Sequence, residues 1–172
     1  EDFYGSLGEI YKDNVDIIMC ESMSSIFEGR NASRVAKEFS ERVWLSWTNR
    51  GHQPDQLPST EALSKAVDFS IEADVECTLI NCSHADMASN SIKELKRSPR
   101  FGIFANSSKF KEVDLSIATK DIDSIHHLNS EKISAKEYAM IALSWIKEGA
   151  FVVGGCCGTN IEHTREIKLL MD

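Results

Sequence analysis

The sequence predicts an α/β fold built on a parallel sheet. Two observations support this: five short apolar runs of strand length, and stretches of helical spacing between them. The runs are mostly continuous, which is typical of strands covered on both faces, as in parallel sheets. Because strand and helix alternate along the chain, a parallel sheet accounts for the order with the fewest assumptions.

The strands are expected where the apolar runs lie, at residues 15–20, 43–47, 75–80, 101–104 and 150–153. The helices are expected between them, at residues 28–39, 59–71, 86–95 and 134–146, with a fifth after Thr159. Apolar residues recur at helical spacing in these stretches, and Ser134 followed by Glu137 is a typical helix N-terminus.

The polar stretch 107–130 contains no comparable apolar pattern. It is long enough to be an active-site loop or a mobile insertion. Its chemistry-bearing residues are Asp121, Asp123, His126 and His127. We expect His126 and His127 to be exposed rather than to bind a metal.

Composition sets limits on function. The 172 residues, 42% hydrophobic and 27% charged, suit one soluble globular domain. A formal net charge of −8 argues against a nucleic-acid surface, because phosphate binding needs clustered lysine and arginine. No apolar run approaches the roughly 20 residues needed to cross a bilayer, so neither a membrane nor a secretory signal is expected. The predicted location is cytoplasmic.

Reactive residue types follow the predicted strands. In parallel α/β proteins the ligand site lies at the carboxyl edge of the sheet, where strand ends that are distant in sequence meet. The residues that end the strands here are Glu21, Ser46, Thr48, Asn81, Cys82, Asn106, Cys156 and Cys157. We therefore expect a pocket formed from several of them.

The segment Gly-Gly-Cys-Cys-Gly-Thr at residues 154–159 is the most informative motif. Flanking glycines allow the backbone to bend enough to aim two adjacent sulfurs at one ion. Cys82 ends another strand and supplies a third sulfur, and three protein ligands with one open position is typical of catalytic zinc. The alternative is that these are buried apolar cysteines, which are common in protein cores.

Five ordered segments resemble the homocysteine S-methyltransferase family. The two most specific are Asn-Cys-Ser at 81–83 and the Gly-Gly-Cys-Cys-Gly-Thr segment, which Glu162 and His163 follow. The segments 16–21, 44–48 and 104–107 are similar to the family's other strand ends, in the same order over nearly the whole chain.

The resemblance implies a (β/α)₈ TIM barrel that transfers a methyl group to homocysteine, giving methionine. It implies Zn²⁺ held by Cys82, Cys156 and Cys157, with the homocysteine sulfur as the incoming ligand. It also implies that Glu21 holds the amino-acid end of homocysteine. A solvated carboxylate is the alternative for that residue.

The resemblance extends to weaker candidates for substrate binding. Asn106 matches a pocket-lining asparagine, although asparagine is also common in surface loops. Ser46 and Thr48 either line the site or bond to nearby backbone. By analogy, S-methylmethionine or S-adenosylmethionine is favoured as the methyl donor.

The sequence departs from the family pattern at several positions, for example Leu79, where the family usually has glycine. None of these changes removes a proposed zinc ligand. Two other functions remain open: a non-catalytic or truncated relative that binds zinc or thiols without turnover, and, less favoured, a redox protein that uses the adjacent thiols.

The matching segments correspond to the family's strands four to eight. We therefore expect residues 1–172 to be a partial homocysteine-binding barrel domain, with about three strands missing on the N-terminal side. The strand leading to Glu21 and the strand leading to Cys156 should then be unpaired edges. Open edges favour self-association.

Overall fold

The structure is a computed structural model that describes residues 2–110 and 130–171. Its strands are β1 (Ile18–Met23), β2 (Val43–Trp47), β3 (Cys77–His84), β4 (Phe101–Asn106), β5 (Ser108–Phe110), β6 (Ser130–Lys132) and β7 (Val152–Gly155). Its helices are α1 (Asp2–Tyr11), α2 (Ile26–Ala36), α3 (Leu63–Glu72), α4 (Ala85–Asn90), α5 (Ile92–Leu95), α6 (Ala135–Lys147) and α7 (Ile161–Met171). None of the helices in the described ranges is long and apolar enough to cross a membrane.

The main sheet has five parallel strands in the order β1-β2-β3-β4-β7, so every strand pairs with the next one in the sequence. Parallel crossovers are almost always right-handed, and an order without reversal therefore places all connecting helices on the same face. The predicted parallel α/β fold is confirmed. Within the described residues, β1 and β7 are the edges of this sheet, as the sequence predicts.

The helix-facing side of the sheet forms the core. Leu45 and Trp47 on β2, with Ile80 on β3 and Ile103 on β4, are completely buried. The Trp47 indole N–H donates to the Ser70 hydroxyl of α3 at 3.0 Å, so the largest core side chain also has its polar group satisfied. Burial of this face against the helices is the main force that holds the sheet and helices together.

The sequence-based boundaries are mostly correct. The strand at Val43–Trp47 lies where it was predicted, and the other four main strands overlap their predicted ranges. The Ser134 side chain accepts the backbone N–H of Glu137, which confirms it as the N-cap of α6. Cys20 and Cys77, which lie within predicted strands, are both buried.

Three features differ from the predictions. Helix α1 was not predicted, because its two glycines weaken the helical pattern. The helix expected at 86–95 is divided into α4 and α5 at Ser91, whose hydroxyl donates to the Met87 carbonyl at 3.1 Å, a bond that bends helices. The stretch 107–130 is not loop throughout, since β5 and β6 pair as an antiparallel ribbon. Asp121, Asp123, His126 and His127 lie outside the described residues.

The unusual leucine at position 79 is accommodated by a glycine on the next strand. Leu79 is fully buried and pairs in register with Gly102. A Cβ atom at Gly102 would lie 2.9 Å from Leu79 Cδ2 and 2.5 Å from Val152 Cγ1. The missing side chain at Gly102 therefore provides the space that the leucine occupies.

We expect Gly102→Ala to lower the free energy of unfolding by about 1–3 kcal/mol, because the added methyl group overpacks a tight contact between three strands. The matched control is Gly5→Ala in the middle of α1, where a Cβ would meet nothing within 4 Å. That change should be neutral or stabilise the protein by up to about 1 kcal/mol. Urea denaturation measures both. Equal effects of the two substitutions would contradict this account of Gly102.

Candidate metal centre

Three cysteine side chains meet at the carboxyl edge of the sheet. The sulfur atoms of Cys82, Cys156 and Cys157 all lie within 4.8 Å of one another. The Sγ atoms of Cys82 and Cys157 are 3.6 Å apart, although the residues are 75 positions apart in sequence. The structure therefore brings together the three thiols that the sequence analysis proposed as metal ligands.

Cys82 reaches the cluster through a bulge in β3. Asn81 pairs with Phe104 and His84 with Asn106, so three steps along β3 correspond to two along β4. Cys82 sits in this extra length with φ +53°, in the left-handed region that side chains disfavour by about 1–2 kcal/mol. A regular strand would continue the alternation of side chains, whereas the bulge changes the direction of the cysteine.

Cys156 and Cys157 follow β7 and are held by the end of β4. The Cys156 N–H donates to the Ala105 carbonyl at 2.8 Å, and the Ser107 N–H donates to the Cys157 carbonyl at 3.0 Å. The side-chain oxygen of Asn106 accepts the Cys157 N–H at 3.0 Å. Three consecutive residues of one strand end thus fix the backbone of the cysteine pair.

The glycines around the pair are required by close approach. A Cβ at Gly155 would collide with the side chain of Thr159, whose hydroxyl donates to the Cys156 carbonyl at 2.7 Å. Gly158 has φ +77°, and a Cβ there would lie 2.7 Å from Ser107 Oγ. Because Gly155 and Gly158 have no side chains, the loop can turn tightly enough to present both sulfurs to the cluster.

The hydroxyl of Tyr138 on α6 links the two strand ends next to the cysteine loop. This hydroxyl lies 2.8 Å from the Ala105 carbonyl and 2.7 Å from the Gly154 carbonyl, and so joins the ends of β4 and β7. The side chain is fully buried, and burial raises the pKa of its hydroxyl further above neutral pH, so that it keeps the proton it can donate. From the sequence, Tyr138 is one of the apolar positions of the helix predicted at 134–146, and nothing in that pattern distinguishes a packed tyrosine from a hydrogen-bonded one.

Two thiols of the cluster, those of Cys82 and Cys156, favour the protonated form when no metal is bound. Burial raises the pKa of Cys82 to about 12, and the nearby Cys156 adds to the effect. The pKa of Cys156 is also raised, first by burial and then by Cys157. Two or more thiolates this close would repel one another unless a cation lay between them. The metal-free site therefore carries little negative charge.

The donor set fits a soft divalent ion. Zinc–sulfur bonds of about 2.3 Å in tetrahedral geometry place sulfur atoms roughly 3.8 Å apart. The observed 3.6 Å between Cys82 and Cys157 is close to that value. The described residues contribute three ligand atoms to the group, which leaves a fourth tetrahedral position for an external ligand.

The expected substrate-binding residues have different surroundings. Glu21 is exposed and lines a cavity of about 340 Å³ between β1, α1 and α2. Ser46 is fully buried and donates to the Asn81 side-chain oxygen at 2.6 Å. The Thr48 hydroxyl donates to the Asn81 carbonyl at 3.3 Å. Both hydroxyls are therefore engaged with Asn81, which the sequence analysis placed at a strand end and in the Asn-Cys-Ser segment without assigning it a role.

His163 packs and caps a helix. It is buried, and its ring lies edge-on to Tyr138 with centroids 5.6 Å apart. Its Nδ1 accepts the backbone N–H of Asn160 at 3.2 Å, while the Asn160 side chain accepts the N–H of Glu162. This arrangement resembles a capping box at the start of α7. His163 therefore packs against α6 and contributes to the start of α7, and it is not one of the three clustered metal-ligand candidates.

Comparison with known proteins identifies the family. The sequence model of a family described as homocysteine S-methyltransferase matches residues 1–171. The chain therefore belongs to the homocysteine S-methyltransferase family, as its motifs predicted. It is 25% identical over 155 residues to homocysteine S-methyltransferase YbgG from Bacillus subtilis (strain 168), covering 88% of this chain and 45% of that protein.

Solved structures show the same fold. The apo form of the homocysteine methyltransferase MmuM from Escherichia coli has a TM-score of 0.68 at 16% identity, covering 98% of this chain and 57% of that one. Its metallated form has a TM-score of 0.69 at 17% identity, covering 98% and 51%. The chain thus spans about half the length of the relatives it matches. Its five strands and helices are of the TIM-barrel type, as predicted.

We expect Cys156→Ala to remove bound divalent metal, because two remaining thiols cannot complete the site. The control is Cys20→Ala, which deletes a buried thiol on the helix-facing side of β1. Elemental analysis of both purified variants measures the metal content per chain. Unchanged metal in Cys156→Ala, or equal loss in both variants, would exclude the three-cysteine site.

Proposed function

We propose that this member of the homocysteine S-methyltransferase family holds Zn²⁺ on Cys82, Cys156 and Cys157 and transfers a methyl group to the thiol of homocysteine, giving methionine. The observation that carries the proposal is the convergence of three thiols within 4.8 Å at the ends of two strands. Catalytic zinc sites have three protein ligands and an exchangeable fourth position, which is the arrangement these residues can provide. The name of the Bacillus subtilis relative supports the same substrate.

Zinc in this position lowers the pKa of a coordinated thiol, so that homocysteine is bound as its thiolate near neutral pH. The degrees of burial of the three cysteines and the backbone around them suit the binding of a substrate thiolate. Cys82 and Cys156 are half-buried, while Cys157 is exposed and leaves access from solvent. The fixed backbone of residues 154–158 keeps the ligand positions from moving when substrate arrives.

In the reaction, the substrate thiol first gives its proton to solvent. The substrate sulfur then attacks the methyl carbon of a sulfonium donor and forms a new carbon–sulfur bond. The donor's carbon–sulfur bond breaks, and its electron pair returns to the donor sulfur, which becomes a neutral thioether. S-methylmethionine or S-adenosylmethionine fits this donor chemistry, and the choice between them rests on family analogy.

We assign the amino-acid end of homocysteine to the β1 side of the site. The exposed carboxylate of Glu21 suits an ammonium group by charge. The side-chain oxygen of Asn106 is used by Cys157, and its NH₂ group is the part that suits a substrate oxygen. Ser46 and Thr48 support the floor of the site through Asn81.

The proposal also covers the cellular compartment of the protein and the domain to which residues 1–172 belong. Five free cysteines, three of them clustered, suit a reducing compartment such as the cytoplasm. Residues 1–172 would form part of a homocysteine-binding barrel domain, and the edges at β1 and β7 would be covered by further strands or by self-association.

Homocysteine should bind to the zinc-loaded protein at least about tenfold more tightly than homoserine, which carries a hydroxyl in place of the thiol. Glu21→Gln should weaken homocysteine binding by about 10-fold or more through loss of a charged contact, and by more than Asn106→Ala does. Calorimetry measures these affinities, with Glu72→Gln at an exposed position of α3 as the control.

Equal affinity for homocysteine and homoserine would rule out binding through sulfur. Methionine formation from homocysteine and S-methylmethionine, followed by mass spectrometry, then tests methyl transfer itself. Tight binding of homocysteine without product would favour the thiol-binding relative over the enzyme.

Zinc affinity should increase with pH. Because burial holds the pKa of Cys82 at about 12 in the metal-free protein, its thiol is protonated throughout the range from pH 6 to 8 and must lose that proton on binding. The apparent dissociation constant should therefore fall by at least about tenfold for each unit of pH increase. Competition with a chelator of known affinity measures this slope. A dissociation constant independent of pH would contradict thiolate ligation.

A further inference from the structure

Asn81 joins three neighbouring strands at the edge where the cysteines meet. The side chain is completely buried. Its oxygen accepts the backbone N–H of Ser22 on β1 at 3.0 Å and the hydroxyl of Ser46 on β2 at 2.6 Å. Its nitrogen donates to Ser22 Oγ at 2.7 Å. One amide group thereby connects the ends of β1, β2 and β3.

The main chain of Asn81 is held as firmly as its side chain. The carbonyl oxygen accepts the Thr48 hydroxyl at 3.3 Å and the Ser83 hydroxyl at 3.0 Å. This carbonyl belongs to the peptide group that leads into Cys82. Hydrogen bonds to this carbonyl therefore fix the orientation of the peptide plane before Cys82, and with it the direction of the cysteine side chain.

Two strands have matching bulges at this point. Cys20 and Met23 of β1 are three residues apart but pair with Leu45 and Trp47 of β2, which are two apart. The same excess of one residue occurs in β3 between Asn81 and His84. Each bulge contains a non-glycine residue at positive φ, Ser22 at +62° in β1 and Cys82 at +53° in β3.

Such backbone conformations persist only where surrounding contacts enforce them. Both are enforced here by the same residue, since the amide of Asn81 binds the N–H and the hydroxyl of Ser22, and its carbonyl precedes Cys82. The first bulge contains Glu21, and the second presents the Cys82 thiol of the cysteine cluster. Asn81 therefore links the backbone next to the Glu21 carboxylate with the backbone next to the Cys82 thiol, two groups with different chemical roles.

We propose that Asn81 is a positioning residue that fixes the Cys82 thiol relative to the Glu21 carboxylate, so that the metal and the amine-binding group keep a constant separation. The inference rests on the proposed function for the roles of those two groups. An amide suits the task because it donates and accepts at once, whereas an ionised carboxylate only accepts. The contacts to Ser22 use both capacities.

The test measures cobalt binding, since Co²⁺ in a thiolate site gives a charge-transfer band. Asn81→Ala should raise the Co²⁺ dissociation constant by about 10-fold or more, as changes around metal ligands commonly do, and should shift the band. Asn81→Asp keeps the acceptor for Ser22 and Ser46 but loses the donor. It should therefore bind Co²⁺ with intermediate affinity.

The matched control is Asn49→Ala. Asn49 is also buried, and its side chain donates to the Pro54 carbonyl at 2.9 Å in the adjoining loop and to Ser91 Oγ at 3.1 Å between α4 and α5. Its loss should lower the melting temperature while the Co²⁺ affinity and band remain those of the parent protein. If Asn81→Ala lowers the melting temperature but likewise leaves Co²⁺ binding unchanged, its role is only structural and the proposal is wrong.

Ser22→Ala provides a milder test in case Asn81→Ala does not fold. Strand β1 supplies no cysteine to the cluster, yet this substitution removes the acceptor for the Asn81 amide and should weaken Co²⁺ binding by a few-fold. Combined with Asn81→Ala, it should cause no further loss, because both act through one contact. Parent-like Co²⁺ affinity in both Ser22→Ala and Asn81→Asp would overturn the proposal.

These titrations contain neither homocysteine nor a methyl donor. Failure of the parent protein to bind homocysteine would refute the proposed function but would leave the cobalt results intact. Conversely, normal homocysteine binding with unchanged cobalt affinity in the variants would refute only the role of Asn81. The two proposals can thus fail separately.

Discussion

The parallel pairing of five strands in chain order is the constraint on which the candidate site depends. Because each strand pairs with the next, all carboxyl ends lie at one edge, and residues as distant as Cys82 and Cys157 come within 3.6 Å. Pairing alone is insufficient, however, since a regular strand alternates its side chains between two faces. The bulge in β3 and the glycine-containing loop after β7 provide the local departures that turn three sulfurs toward one point.

Those departures cost free energy, and buried polar contacts compensate for it. Cys82 and Ser22 lie in the left-handed region, and two carbonyls at the ends of β4 and β7 depend on a single tyrosine hydroxyl. A buried polar group is favourable only when its bonds are complete, so each such residue fixes one geometry and disfavours others. The geometry of the cysteine cluster is therefore held by a few buried side chains whose polar groups are hydrogen-bonded.

The sequence was sufficient for the features that depend on periodicity or on a dense motif. Continuous apolar runs located the strands, and the paired cysteines with their glycines, together with Cys82 at another strand end, located the cysteine cluster. It was insufficient where the outcome depends on one contact between distant residues. Asn81 and Tyr138 have no local signature of their role, because an asparagine at a strand end and a tyrosine in a helix stripe have many ordinary explanations. The pairing of β5 with β6 across 19 intervening residues lacks a local signal for the same reason.

Two properties of the cysteine site have opposite effects on its affinity for a metal ion: its buried thiols are neutral, and hydrogen bonds hold its backbone in place. Together they suit the site to exchange of an external ligand. Burial opposes thiolate formation, so each proton removed reduces the net affinity for a cation. A preformed arrangement of sulfurs increases that affinity, because little conformational freedom is lost on binding. In the proposed zinc site, three ligands on this framework would hold the ion and leave the fourth position open. An incoming thiol would then coordinate without displacing a protein ligand.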